Sequence, residues 1–438
     1  MAVNNPLPPT HASTIFALSS GAPPAGVAVV RLSGPGAGVA LDALLAGRAR
    51  PAPRRASLRR LINPVDGRPL DQALLLWLPG PATATGEDMV ELHLHGGRAV
   101  TRAVLEALGG LPDLRAADAG EFTRRAFANG RIDLTEAEAL GDLLSAETET
   151  QRRNALALAD GAFSRKLQTW LEQLLSLSAR VEAVLDFEDE DDVPALGMRF
   201  AEDLASLARD VAQWVDRPPV ERLRDGVRVV LAGPPNAGKS TLLNALAGRE
   251  AAIVTPLAGT TRDLVEVPVS IGGIAFLLVD TAGLHERPAD AVETIGIDRA
   301  RQAMATADIL LWLGAPDEAP AGAVRIAARC DVEDECVPNG VDLRLSAKTG
   351  AGMPELVELL RQRAHALLPR EGEVALSMRQ REQVGRLSSA LGLAAAERDP
   401  LLVAEALRLC RVAIDMLTGR AGTEDMLDGL FGRFCIGK

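Results

Sequence analysis

The stretch that decides the fold is GPPNAGKS, Gly233–Ser240, which lies between the apolar run VRVVLA and the helical pattern STLLNALAG. It matches the phosphate-binding sequence G-x-x-x-x-G-K-[ST], and it has the preceding strand and following helix which that loop requires. The glycines let backbone N–H groups surround phosphate oxygens at a helix N-terminus. Lys239 is placed to reach the β- and γ-phosphates, and the Ser240 hydroxyl to bind Mg²⁺. The stretch therefore predicts a nucleotide-binding α/β domain.

Three further segments fit a guanine-nucleotide site. DTAG (Asp280–Gly283) follows the apolar run IAFLLVD and supplies a carboxylate for Mg²⁺ and a glycine that allows close approach to the γ-phosphate. GTTRD (Gly259–Asp263) precedes it and offers Thr261 as a second hydroxyl for the metal. SAK (Ser346–Lys348) follows VDLRL and suits a loop that contacts the base. Each segment alone is as easily an ordinary turn or strand end, so the prediction depends on their order and spacing.

The tetrad that usually specifies guanine departs from the common pattern. GTPases carry N-K-x-D after the fifth strand, and the aligned residues here are Ala328, Arg329, Cys330 and Asp331. Asp331 can still accept hydrogen bonds from guanine N1 and N2, whereas an adenine edge would leave its oxygens unpaired. We therefore predict weaker or less selective GTP binding. The alternative is that Asp331 is an ordinary loop carboxylate.

Composition limits the rest of the chain. At roughly 100–200 residues per domain, 438 residues suggest two to four domains. The net charge of −12 argues against non-specific coating of nucleic acid but leaves room for a local basic patch. RRASLRR (Arg54–Arg60) is a candidate contact with RNA, although an exposed charged loop is the commoner use of such a run. No apolar stretch approaches the ~20 residues of a membrane span, and four cysteines do not make a disulfide framework. We therefore expect a reducing, cytoplasmic location.

The patterns around the nucleotide motifs predict a multidomain protein. Runs such as VAVVRLSG and the alternating DMVELHLHGG predict a small α+β domain over residues 1–122. Helical periodicity predicts a central α-helical domain in two parts, residues 123–216 and 370–438. The α/β P-loop domain, residues 217–369, is then inserted into the helical domain.

These segments resemble the MnmE (TrmE) family of tRNA-modification GTPases over essentially the whole chain. The most specific matches are AGEFTRRAFANGRIDLTEAEALGDLL (Ala119–Leu144) and the terminal FCIGK, supported by TGEDMVELHLHGG, AGTTRD, DTAGL and AVETIGIDRA. The resemblance implies a folate-binding-like N-terminal domain and a K⁺-stimulated GTPase that modifies C5 of the wobble uridine in tRNA. It also implies a homodimer formed through the N-terminal domains, and a heterotetramer with MnmG, the FAD-dependent partner.

The resemblance also assigns the parts of GTP hydrolysis. A K⁺ ion would supply the positive charge that an arginine finger supplies elsewhere. Leu284 stands where Ras-like proteins place a water-orienting Gln, and the family's glutamate is matched by Glu293, with Glu286 as the alternative. We expect Glu293 and Lys239 to be catalytic. The K⁺ ligands implied are Asn236, Thr255, Leu257 and Thr260, and the Mg²⁺ ligands Ser240 and Thr261. The residues expected to bind GTP are Asn236, Ala237, Gly238, Lys239, Ser240, Thr241, Thr255, Thr260, Thr261, Asp280, Gly283, Asp331, Ser346, Ala347 and Lys348.

The resemblance further implies a site for 5-formyltetrahydrofolate or a related folate. Its residues would be Arg31, Glu91, Arg131 and Lys438. A glutamate can bond the amino edge of a pterin, and cations can hold its glutamyl carboxylates. From the residues alone, Glu91 on an alternating strand is more readily a solvent-facing side chain. Cys435 is a candidate for the modification chemistry, with an ordinary reduced thiol as the alternative. His93 and His95 lack a third metal ligand nearby, so we favour a structural or folate-pocket role.

Two other functions stay open at this point. A regulatory GTPase of the ribosome-assembly type would share the nucleotide motifs without modification chemistry, but it has no use for the N-terminal domain or the FCIGK tail. A folate-dependent transferase with a vestigial GTPase would explain the altered tetrad. K⁺-dependent GTP hydrolysis and folate binding separate the three.

Overall fold

The chain forms two compact units in a computed structural model, Met1–Gly141 with Asp415–Lys438, and Asp142–Ile414. The structure describes residues 13–186, 196–249, 251–252, 265–281, 301–331, 339–370, 373–421, 424–432, 434 and 436–437. The four domain ranges expected from the sequence stay a prediction.

The first unit is built on a six-stranded sheet in the order β3-β4-β5-β2-β1-β6. Its pairs are antiparallel except for β1 with β6. The elements are β1 (Thr14–Leu18), β2 (Val27–Ser33), α1 (Ala37–Leu45), β3 (Ser57–Ile62), β4 (Pro69–Leu78), β5 (Met89–His95), α2 (Arg98–Gly109), β6 (Leu114–Ala116) and α3 (Glu121–Ala128).

The two faces of this sheet are covered differently. Alternate residues of each strand, such as Val90 and Leu92 of β5, share a fully buried core with residues of α1 and α2. On the other face, Ile15 and Phe122 belong to a smaller apolar cluster, in which Phe122 comes from α3. Because strand side chains alternate between faces, Glu91 lies on this second face, where it is half-buried.

Helices dominate the next part of the chain: α4 (Leu134–Ser145), α5 (Glu149–Ala159), α6 (Ala162–Asp186) and α7 (Met198–Val215). An aromatic cluster holds α6 against α7, since Phe163 stacks on Trp214 with ring centroids 5.0 Å apart. Trp170 meets Trp214 edge-on at 5.8 Å and donates its Nε1–H to Asp210 at 2.8 Å. Edge-on and offset aromatic pairs of this kind stabilise a core beyond their buried area.

The α/β part carries a seven-stranded sheet in the order β13-β12-β11-β7-β10-β9-β8. Its central strands are parallel and buried on both faces, which explains the continuous apolar runs VRVVLA and IAFLLVD. The elements are α8 (Glu221–Arg224), β7 (Val227–Ala232), α9 (Lys239–Arg249), β8 (Ala251–Ala252), β9 (Val265–Ile271), β10 (Ile274–Asp280), β11 (Ile309–Trp312), β12 (Val324–Ala327), β13 (Leu343–Arg344) and α10 (Met353–Leu367).

The helices resume after the α/β part. They are α11 (Met378–Ala396), α12 (Pro400–Thr418) and α13 (Glu424–Phe431). Together with the α+β sheet and the P-loop part, they confirm the fold class predicted from the sequence. Within the described ranges, no helix combines the length and apolarity that a membrane crossing requires.

The chain enters and leaves the α/β part at adjacent points. Pro219 and Leu376 form a parallel bridge, and the N–H of Val220 donates to the Leu376 carbonyl at 3.0 Å. Helix α5 holds both connections, because the Asn154 side chain accepts from the N–H of Ala375 at 2.8 Å. Gln151 of the same helix donates to the carbonyl of Leu223, also at 2.8 Å.

Candidate functional site

The loop between β7 and α9 is bent at three positions that require unusual backbone angles. Gly233 has φ of +145° and Gly238 has φ of +93°, which only glycine adopts readily. A Cβ atom at Gly233 would lie 3.0 Å from the carbonyl carbon of Leu313, so a side chain there would also crowd the neighbouring backbone. Asn236 has φ of +63°, and asparagine tolerates this left-handed region better than most residues. The glycine spacing of the motif is therefore a backbone requirement.

Lys239 and Ser240, the first residues of α9, point their polar atoms at protein groups. The Nζ of Lys239 donates to the carbonyls of Gly233 at 2.9 Å and Pro234 at 2.8 Å. Its side chain is buried, and this burial lowers the pKa of the ammonium although the Asp280 carboxylate opposes the shift. The Ser240 hydroxyl donates to Asp280 Oδ2 at 2.5 Å. A hydroxyl and a carboxylate this close form a hard oxygen set that suits Mg²⁺.

The SAK segment lies against the altered tetrad. Ser346 is fully buried, and a hydrogen bond from its hydroxyl to Asp331 is the main reason why the pKa of that carboxyl lies below its usual range. The nearby cations Lys348 and Arg329 lower it further. The N–H of Cys330 donates to the Leu345 carbonyl at 3.2 Å, which ties the two segments through their backbones. Asp331 is thus ionised and oriented near neutral pH.

The phosphate loop, the tetrad and the SAK segment meet in one cleft. Its cavity volume is ≈ 810 Å³, which is within the range of cofactor sites. Its lining includes ten residues expected from the sequence: Asn236, Ala237, Gly238, Lys239, Ser240, Thr241, Asp331, Ser346, Ala347 and Lys348. Ala328 and Arg329 line it as well, at the positions where the usual Asn and Lys would stand. Four stretches of sequence, including Asp280 through its bond to Ser240, therefore converge.

Other residues expected in the site lie outside the described residues. They are Thr255, Leu257, Thr260, Thr261, Gly283, Glu286, Glu293, Cys435 and Lys438. Their assignments stay predictions.

On the second face of the N-terminal sheet, Arg31 and Glu91 form an ion pair. They are direct partners across β2 and β5, and Arg31 donates from Nη2 at 2.8 Å and from Nε at 3.1 Å to Glu91 Oε1. The guanidinium carbon of Arg31 also lies 6.0 Å from the centre of the Phe122 ring. Both side chains remain partly accessible, at 26% and 18% exposure, so a ligand can reach this pair.

Two other predicted residues have separate surroundings. Arg131 is exposed, and its stem lies within 3.4 Å of the position that a Cβ of Gly86 would take, in the β4–β5 loop. His93 contacts Glu91 at 3.4 Å, whereas His95 bonds Asp71 through Nδ1 at 2.7 Å. The two histidines thus have different carboxylate partners. Across the part of the chain that the structure describes, no cluster of three or more His, Cys, Asp or Glu could hold a metal ion.

Next to the Arg31–Glu91 pair lies a buried charge network that the sequence analysis missed. Arg125 of α3 is only 3% exposed and donates to Glu87 at 3.1 Å and to Glu121 at 3.0 Å. Ser33, two residues after Arg31 on β2, donates to Glu87 at 2.6 Å. The i, i+4 spacing of Glu121 and Arg125 could have indicated their ion pair, because it places both side chains on one helix face. The network fixes α3 and the β4–β5 loop to the end of β2.

The Glu121 carboxylate accepts several hydrogen bonds within this network. Burial disfavours its charged form, but hydrogen bonds from Arg115, from the N–H of Asp118 and from Arg125 outweigh that effect. The pKa of Glu121 therefore lies below its ordinary value. The paired carboxylate stabilises the folded N-terminal sheet at neutral pH.

Two family models cover most of the chain. The one described as "GTP-binding protein TrmE N-terminus" matches residues 14–131, and the one described as "MnmE helical domain" matches residues 134–435. The chain belongs to the MnmE family of tRNA modification GTPases. The MnmE match to the N-terminal domain disfavours a ribosome-assembly switch, which has no need of that domain.

Curated MnmE relatives match at nearly full length. The tRNA modification GTPase MnmE of Rhizorhabdus wittichii is 70% identical over 427 residues, 97% of this chain and 96% of that protein. The MnmE of Erythrobacter litoralis is 58% identical over 425 residues, 97% of this chain and 100% of the relative. A solved G domain of the T. maritima FeoB iron transporter is 24% identical over 32% of this chain and 98% of that chain, with a TM-score of 0.23. At that TM-score the likeness to FeoB adds nothing to the MnmE assignment.

Proposed function

We propose that this MnmE family member couples GTP hydrolysis to modification at C5 of the wobble uridine in tRNA. The observation that carries the proposal is the cleft in which the phosphate loop, the tetrad and the SAK segment meet. Hydrolysis would be stimulated by K⁺, and a folate such as 5-formyltetrahydrofolate would donate the one-carbon unit. The family resemblance adds MnmG, which carries FAD, as partner in a heterotetramer with a homodimer of this chain.

Different residues of the cleft would bind the phosphates, the Mg²⁺ ion and the guanine base of GTP. The two carbonyl bonds of the Lys239 ammonium would be exchanged for bonds to the β- and γ-phosphates. Ser240 and Asp280, already 2.5 Å apart, would hold Mg²⁺ with Thr261. The bound Mg²⁺ supplies positive charge that neutralises the phosphates. Asp331, oriented by Ser346, would accept hydrogen bonds from guanine.

The proposed K⁺ site begins at Asn236, which lines the cleft and has a left-handed backbone conformation. Thr255, Leu257 and Thr260 would complete it. A monovalent cation held there would place positive charge where negative charge develops in the transition state, which would lower the barrier without an arginine from a second protein.

The proposed folate site uses the accessible Arg31–Glu91 pair, with Arg131 and Lys438. Glu91 would bond the donor edge of the pterin, and the cations would hold the glutamyl carboxylates. We also propose a cytoplasmic location, which is consistent with the free thiols of Cys330 and Cys410.

Initial rates of GTP hydrolysis in KCl and in NaCl at equal ionic strength test the nucleotide part of the proposal. We expect faster turnover in KCl, and Asn236→Ala should reduce the difference between the salts. Equal rates in the two salts would contradict the K⁺ site. Incorporation of label from the folate one-carbon unit into tRNA, measured with MnmG present, tests the modification itself.

The water-orienting group is tested by a pair of variants. Glu293→Ala should lower kcat strongly with little change in GTP affinity, because an orienting group acts in the transition state. Glu286→Ala is the matched control in the same segment. If Glu286→Ala lowers kcat and Glu293→Ala does not, the assignment of Glu293 is wrong.

A further inference from the structure

One surface of the N-terminal unit has a charge opposite to that of the whole chain. Residues 43–65 contain six arginines and neither Asp nor Glu, in a protein with a net charge of −12. The densest part is RRASLRR, with Arg54, Arg55, Arg59 and Arg60 inside seven residues. We call Arg54–Arg60 the arginine edge.

The arginine edge is the outer strand of the sheet and the turn that leads into it. β3 lies at the end of the strand order, and among the described strands it pairs with β4 alone. Arg54, Arg55 and Arg60 are exposed, and Arg59 is half-buried. Arg59 and Arg60 are neighbours on β3 and therefore lie on opposite faces of the sheet, so the cations are accessible on both sides of its open edge.

Within the described structure, none of the four arginines has a carboxylate at ion-pair distance. Arg50, just before them, shows the contrast, because it is neutralised by Asp42 at 2.6 Å. Arg54 donates instead to the carbonyls of Pro79 and Ala82, and Arg59 donates to the carbonyl of Leu58. Carbonyl partners orient a guanidinium but leave its charge uncompensated.

We propose that the arginine edge is a docking surface for the phosphate backbone of tRNA. The inference rests on the proposed function, because it names where the substrate of that reaction binds. Phosphates suit this surface, since a planar guanidinium can bind two phosphate oxygens at once. Uncompensated cations also release counterions when phosphates replace salt, which drives association with RNA. The positive charge of this edge gives an acidic protein a place that attracts a polyanion.

The test compares two triple variants of equal charge in the full chain. Arg55→Gln, Arg59→Gln and Arg60→Gln remove three cations from the arginine edge and leave Arg54 with its carbonyl contacts. The control is Arg199→Gln, Arg209→Gln and Arg420→Gln, three exposed arginines without an ion pair in the described structure. Arg209, like Arg59, donates to a main-chain carbonyl. The dissociation constant for unmodified tRNA is measured by filter binding over a series of KCl concentrations.

We expect the arginine-edge variant to bind tRNA at least about tenfold more weakly at low salt. The slope of log affinity against log salt should decrease by roughly 2–3 in magnitude, about 0.7–0.9 for each lost phosphate contact. The control variant should keep the affinity and slope of the wild type. The corresponding Arg→Lys triple variant should keep most of the slope, because it retains the charge. GTP hydrolysis should be unchanged in all three variants, and an unchanged circular dichroism spectrum and melting curve verify that the N-terminal unit folds.

Two results would overturn the docking surface while leaving the proposed function intact. One is equal tRNA affinity and slope for the arginine-edge and control variants. The other is self-association of the arginine-edge variant with an unchanged slope, which would mean that the arginines only keep the open strand from pairing with other chains. By contrast, a wild-type chain that shows no salt-dependent tRNA binding and no tRNA modification with MnmG would overturn the proposed function itself.

Discussion

The nucleotide cleft and the second face of the N-terminal sheet arrange charge in opposite ways. In the cleft, Lys239 is bound to main-chain carbonyls, so its positive charge is available for a phosphate. On the sheet face, Arg31 is matched by Glu91, and Arg125 by Glu87 and Glu121. In the cleft an anionic ligand would replace neutral carbonyl partners of Lys239, whereas on the sheet face a ligand would have to replace carboxylate partners of the arginines. We therefore expect side-chain removal to cost more function in the cleft than on the sheet face.

The largest effect is expected from Lys239→Ala. Lys239 is the cation of the phosphate loop, and its loss should lower kcat for GTP hydrolysis by at least about a hundredfold. Folate affinity should not change, because the sheet face keeps its own charges. The matched control is Lys166→Ala, which removes the ion pair of Lys166 with Asp210 in the helical part. A Lys239→Ala enzyme with more than a tenth of the wild-type kcat would contradict the expectation that side-chain removal costs more function in the cleft than on the sheet face.

The next effect concerns the tetrad. Ala328→Asn should restore a hydrogen-bonding side chain to the cleft wall and tighten GTP binding by about 1–3 kcal/mol, or ten- to hundredfold. Asp331→Asn should weaken GTP binding and favour xanthine nucleotides, in which an acceptor replaces a guanine donor. Titrations of GTP, ATP and XTP measure both changes. If neither variant alters GTP affinity, Ala328–Asp331 is not the loop that reads the base.

A smaller effect is expected on the sheet face. Glu91→Gln keeps the shape of the side chain but removes its charge, and it should weaken folate binding by about tenfold, or ~1.4 kcal/mol. The kcat for GTP should stay within twofold of the wild type, on the order of experimental scatter. Equilibrium dialysis with 5-formyltetrahydrofolate measures the folate affinity, and a steady-state assay of GTP hydrolysis measures kcat. Asp71→Gln is the control, because it removes a carboxylate whose partner is the exposed His95.

The smallest effect is a pH-dependent loss of stability. Because the pKa of folded Glu121 lies below its ordinary value of 4.5, its pairing stabilises the fold above that pH. The contribution is lost as the pH falls through the folded pKa, where the carboxylate takes up a proton. Glu121→Gln should therefore lower the Tm by about 2–4 °C at pH 7 and by less at low pH. The control is Glu106→Gln, which removes an exposed ion pair with Arg102 and should change the Tm little at either pH. An unchanged Tm difference at low pH would show that Glu121 acts through packing alone.

The same contrast explains what could be predicted from sequence. The phosphate loop was predictable because its geometry depends on adjacent residues, as the positive φ of Gly233 and Gly238 shows. The pairing of Arg31 with Glu91 was not, because it depends on the register of strands that are 60 residues apart. Only the family resemblance brought those two residues together before the structure did.

Arg125 shows a second limit. Its type and spacing are typical of a surface ion pair on a helix. Arg125 is buried because α3 covers the second face of the sheet, the face that carries Ile15. No local sequence pattern indicates which face of a sheet a helix will cover. The fold class was easier, since it depends on the periodicity of whole segments such as IAFLLVD rather than on any single contact.

Because Pro219 and Leu376 are bridged, the nucleotide domain between them could be deleted without separating the rest of the chain. The two ends of the insertion lie side by side, so a linker of about two residues, spanning ~7 Å, could rejoin the chain after excision. Asn154 would still hold the rejoined backbone through Ala375. Such a deletion would leave a chain with no GTP cleft and with its arginine edge intact. GTP hydrolysis and the proposed tRNA contact would therefore lie on separable parts of one polypeptide.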